Sequence, residues 1–95
     1  FYKGAGNTGA HVGHLWDAAG NLLATATFAN ETASGWQQVD FATPVAIQAN
    51  AVYVASYYAP NGGYAQNTGY FSTAVTNGNL TAPASIAGAG NGVYK

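Results

Sequence analysis

Apolar and polar positions along this chain alternate; they do not recur at helical spacing. No stretch keeps an i, i+3, i+4, i+7 apolar rhythm for three turns. Short alternating runs return instead at roughly 8–12 residues, the spacing of a sandwich or barrel. Residues 11–16 predict a strand with Val12, His14 and Trp16 on one face and His11 and Leu15 on the other. Residues 17–21 (DAAGN) predict a turn in which Gly20 supplies a positive φ, and residues 22–29 the returning strand of a hairpin. Residues 30–35 (NETASG) connect to a strand over 36–41, which Pro44 closes, with a short edge piece over 45–48. Residues 51–59 (AVYVASYYA) are β-branched and aromatic without a breaker; Val52, Val54 and Ser56 face one way, Tyr53, Ala55 and Tyr57 the other. Residues 60–63 (PNGG) form a turn, a further strand is expected around Tyr70 and Phe71, and residues 77–92 read mainly as loop.

This pattern predicts an all-β fold, a small antiparallel β-sandwich of immunoglobulin-like or jelly-roll-like kind, as one module over residues 1–95. Nearly half the residues are hydrophobic, but many are Ala, so the expected core is thin. Its larger anchors are Trp16, Phe28, Trp36, Val39, Phe41, Val45, Ile47, Val52, Val54, Phe71, Val75, Ile86 and Val93.

Charge narrows the functional classes. Only 5% of the residues are charged and none is Arg. Nucleic-acid binding needs several cationic side chains against phosphates, which two Lys do not supply. No apolar run approaches the length of a membrane span, and no cysteine is present for a disulfide or a thiolate metal site. Weak charge also means weak repulsion between copies, which favours self-association.

The segments FYKGAGNTG (1–9), HVGHLW (11–16), GNLLATATFANETASGWQQVDFATPVAI (20–47), YVASYYAPNGGY (53–64) and NGVYK (91–95) resemble a bacterial extracellular family catalogued as domain of unknown function 4082. The resemblance runs through essentially the whole chain. It implies a β-sandwich module of secreted or cell-surface proteins, placed beside other modules, and it implies no established chemistry. The family pattern continues for a strand or so before FYKG and for further strands after GVYK. The expectation is therefore a fragment with terminal strands missing and an exposed sheet edge.

Candidate chemistry is sparse. No serine sits in a G-x-S-x-G turn. Of the three acids, Asp17 is expected at the opposite end of the sandwich from Glu31, too far for a paired-carboxylate site. His11 and His14 lie three apart on a strand, hence on opposite faces, and cannot readily share a metal; His14, beside Trp16, reads as a satisfied, partly buried side chain. No cofactor is expected; calcium, which takes six to eight oxygens, has only Glu31 as a weak carboxylate candidate. The seven Tyr and two Trp are the better lead, since aromatic rings with polar tips suit sugar rings or protein partners. If the strands run up and down, loops 4–10, 30–35 and 60–63 share one end. The candidate ligand-binding residues there are Asn7, Asn30, Trp36, Tyr58, Asn61 and Tyr64.

The sequence thus points to a non-catalytic extracellular module that binds a polysaccharide or a cell-surface protein. The alternative is a structural or assembly subunit joining neighbouring modules or further copies through strand edges.

Overall fold

The computed structural model describes residues 1–87 and 90–92. It contains two compact units, Phe1–Ala65 and Gln66–Lys95. The chain is all-β and antiparallel, with seven strands among the described residues.

In the first unit, β2 (Val12–Asp17) and β3 (Leu22–Thr27) form the hairpin expected from the alternation, and β5 (Tyr53–Tyr58) pairs with the other side of β2. The sheet order is β3-β2-β5. The hairpin turn is held by Asp17, whose Oδ1 accepts from the main-chain N–H of Ala19 and Asn21 while Oδ2 accepts from the Asn21 amide. Gly20 has φ 87°, the left-handed value the turn requires. Leu23 has no partner on β2, because Leu15 pairs with Ala24 and Trp16 with Leu22; this bulge lies next to the turn.

Pleating gives the sheet two unlike faces. One carries the small residues Gly13, Ala24, Ala26 and Ala55, which admit close packing, together with Leu15 and Tyr57. Gly13 is buried beneath the ring of Phe28. The outward face carries Val12, His14 and Trp16 on β2, Leu22, Thr25 and Thr27 on β3, and Val54, Ser56 and Tyr58 on β5. Thus the expected facing of β2 and of β5 is observed.

A second layer is the ladder of β1 (Tyr2–Lys3) with β4 (Gly35–Trp36). Phe1 and Gln37 prolong it by exchanging main-chain hydrogen bonds in both directions, 2.9 and 2.8 Å. The Phe1 ring joins the layers, stacking on Tyr57 at 4.3 Å and meeting Phe28 edge-on at 4.8 Å. These contacts make the small β-sandwich.

The strand expected over 36–41 is cut short. β4 ends at Trp36, and the next residue, Gln37, turns its side chain back into the preceding loop. Its Oε1 accepts from the Thr32 N–H, and its Nε2 donates to Thr32 Oγ1 and to the Gly35 carbonyl.

The second unit holds a 3-10 turn at Tyr70–Ser72, where a strand was expected, and a hairpin of β6 (Val75–Asn77) with β7 (Leu80–Ala82), where loop was expected. The hairpin turn is Gly78-Asn79; Gly78 has φ 59° and Asn79 has no positive φ, the pattern of a type II′ turn.

The apolar core is even thinner than its sequence suggests. Among the described residues no hydrophobic side chain is fully buried; the buried polar ones are Asn7, His11 and Gln37. Several expected anchors are exposed, including Trp36, Ile47, Val52, Val54, Val75 and Ile86. Short strands and many Ala leave little apolar depth to enclose them. Val93 lies outside the described residues.

Candidate binding surface

His11 precedes β2 on the inward side of the sheet, beside Phe1 and Tyr57, and is completely buried. A buried imidazole must find partners for both nitrogens. Nδ1 donates to Glu31, at 2.8 Å to Oε1 and 3.0 Å to Oε2, and Nε2 lies 2.7 Å from Asn7 Oδ1. Each ring nitrogen therefore faces a side-chain oxygen, and neither is left without a partner. Lys3 Nζ lies 3.5 Å from Glu31 Oε1 and places a cation beside the carboxylate. Burial raises the Glu31 carboxyl, but the hydrogen bond and charge of His11, together with Lys3, outweigh it and hold the carboxyl below its ordinary value. Asn7 Nδ2 is buried without a hydrogen-bond partner in the structure.

This acid–imidazole–amide chain resembles part of a catalytic relay in outline only. The group opposite the acid is an amide, which is no nucleophile, and the imidazole is closed to solvent. What the network does is mechanical. It ties the 4–10 loop, β1 and the 30–35 loop to the start of β2.

The same end of the unit is closed from the other side by residues 60–63. Asn61 Nδ2 donates to the Thr8 carbonyl and hydroxyl, at 3.1 and 2.9 Å. Gly63 passes directly over Gly6 and Asn7; a Cβ there would lie 2.7 Å from the Gly6 carbonyl oxygen. Loops 4–10, 30–35 and 60–63 thus meet, as the up-and-down topology requires.

Two expected site residues are corrected. Asn7 does not face ligand; it is 1% exposed, drawn in by the need of His11 for an acceptor. Glu31 is not free to serve calcium, because both its oxygens are engaged by His11 and one also by Lys3. Among the described residues no group of three or more His, Cys, Asp or Glu is placed to hold a metal, and no helix is long and apolar enough to cross a membrane.

The remaining candidates lie at the surface. Trp36 is 80% exposed, and its ring meets Tyr2, its ladder partner, edge-on at 5.6 Å. Tyr58 is exposed on the outward sheet face opposite Val12, and Tyr64 is exposed after the 60–63 turn. Asn30 is exposed in a left-handed conformation, φ 54°, and Asn61 spends its amide on Thr8. Trp36 and Tyr58 belong to different ladders, so the candidates do not form a single row.

Sequence reasoning missed Tyr2, which β-pairing places beside Trp36, and the interior roles of His11 and Gln37. The signal for Tyr2 was its alternation with Phe1 and Lys3 at the start of the chain. The pairing of His11 with Glu31 spans 20 residues and leaves no local trace.

The profile of the family described as Domain of unknown function (DUF4082) matches residues 1–95. The chain belongs to this family. The resemblance carried by FYKGAGNTG and the segments after it is therefore borne out. No curated protein and no solved structure matches the chain. In this DUF4082 chain four of the five charged side chains are held in local contacts, at Asp17, at Asp40 beside Gln38 and in the Lys3–Glu31 pair.

Proposed function

We propose that this chain is a non-catalytic binding module of an extracellular bacterial protein and that it holds carbohydrate on exposed aromatic rings. The observation that carries this reading is the Trp36–Tyr2 pair. An indole that is 80% exposed, propped at right angles by a tyrosine ring, offers an apolar plate to solvent. Such plates stack on the C–H faces of sugars at low conformational cost, and neighbouring amides and hydroxyls satisfy the sugar hydroxyls.

Affinity electrophoresis through gels containing soluble polysaccharides tests the proposal. The expected result is retardation of the wild-type chain by at least one polysaccharide and recovery of free migration in Trp36→Ala. Equal retardation of both chains would remove Trp36 from the site.

A second reading is supported by the edges of the three-stranded sheet. β3 and β5 flank β2, and among the described residues no strand pairs with their outer edges. A net charge of −1 opposes association of copies only weakly. Light scattering separates the readings: growth of mass with concentration favours assembly, and a constant monomer mass favours the binding module.

A further inference from the structure

We propose a second carbohydrate contact on the outward face of the three-stranded sheet, centred on His14 and Trp16. It shares its ligand class with the reading above but none of its residues. The two rings lie successively on that face of β2, with centroids 5.6 Å apart and planes inclined by 31°, so together they form a shallow, nearly continuous strip. Hydroxyl groups flank His14 on both sides, at Thr25 of β3 and Ser56 of β5, while Leu22 and Val54 flank Trp16; Thr27 and Tyr58 add hydroxyls one step along, on either side of Val12, each residue about 4.8 Å across the ladder from its β2 partner. The Trp16 indole N–H donates to Ser56 Oγ at 2.9 Å, which fixes the indole against the neighbouring strand before any ligand arrives.

The face selects its occupant by what it lacks. It bears no Asp, Glu, Lys or Arg, so neither a polyanion nor a charged peptide finds a counter-charge. Five of its nine positions are Thr, Ser, Tyr or His, so it is too polar to match an apolar helix. An aromatic strip that is apolar at its Trp16 end and bordered by hydroxyls from His14 to Val12 matches a neutral glycan chain, whose rings present C–H faces to the strip and hydroxyls to the polar margin.

The two tryptophans allow the two contacts to be read separately. Trp36→Phe leaves Trp16 as the only indole, and Trp16→Phe leaves Trp36 as the only one. Each variant is titrated with soluble β-glucan and with galactomannan while indole emission is followed. The expected result is a saturable change in Trp16 emission with one of these polymers. It should weaken by roughly tenfold or more in affinity when His14→Ala is added, and less with Ser56→Ala, which retains both rings. Circular dichroism of the variants confirms that the sheet is intact. An unchanged Trp16 emission alongside a responding Trp36 overturns the second contact and leaves the first standing. Silence of both indoles overturns both. A dimer by sedimentation that Thr27→Lys dissociates also overturns the proposal, because the face is then an interface between copies.

Discussion

Glu31 grips His11 with both carboxylate oxygens, 2.8 and 3.0 Å from the same ring nitrogen, and so fastens the 30–35 loop to the first residue of the central hairpin. Glu31→Ala leaves the Nδ1 donor of a fully buried ring without a partner. The expected loss is about 1–3 kcal/mol. Glu31→Gln keeps an acceptor in place and should lose less. Urea midpoints of the two variants, at equal slope, measure the order.

The same carboxylate sets an acid limit. Its folded value lies below its ordinary value near 4.5, so its stabilising contribution is complete above that value and is lost as pH falls through the folded one. Asp17 is also lowered, first by the hydrogen bond from the Asn21 side chain and then by main-chain N–H groups, and it weakens the fold over a similar acid range. The expected outcome is a urea midpoint that declines below about pH 4.5. Glu31→Gln should flatten the decline without abolishing it, since Asp17 remains.

Gly63 lies where a side chain has no room. A Cβ would sit 2.7 Å from the Gly6 oxygen and 2.9 Å from the Asn7 Cα, and backbone does not yield as a flexible side chain does. Gly63→Ala should therefore cost about 1–3 kcal/mol and lower the thermal midpoint. Asn61→Ala, which removes only exposed hydrogen bonds to Thr8, should cost less. Reversal of that order would show that the loops are joined by the amide and not by the close backbone approach.

Two aromatic residues should separate stability from recognition. Phe28 covers Gly13 and meets Phe1 edge-on, so Phe28→Ala should destabilise the fold by about 2–4 kcal/mol. Trp36 is largely in solvent, so Trp36→Ala should change stability by no more than about 0.5 kcal/mol while removing retention by polysaccharide. Denaturation and affinity electrophoresis on the same samples give both values.

What the sequence makes legible here is local. The β2–β3 hairpin follows from alternation at 11–16 and 22–29 with the DAAGN turn between them, and β5 follows from its β-branched and aromatic run. The grouping of the three loops follows from topology. The strand over 36–41 ends after Trp36, and the Gln37 side chain goes to the preceding loop, a partnership that period-two counting does not register. Around Tyr70 and Phe71 the aromatic content suggests a strand, yet Gly69 at φ 74° opens a 3-10 turn. Asn7 has the composition of a ligand-facing loop residue, and only the position of His11, brought beside it by folding, turns it inward.

The innermost described side chains of this domain are an imidazole and two amides. Their order depends on the direction of hydrogen bonds more than on filled volume, and little oily surface meets water when they separate. Calorimetry should accordingly find a heat-capacity increment on unfolding below the usual figure of about 12–15 cal/mol/K per residue. A small increment flattens the curve of stability against temperature, so chilling should weaken this fold less than one built around a greasy centre.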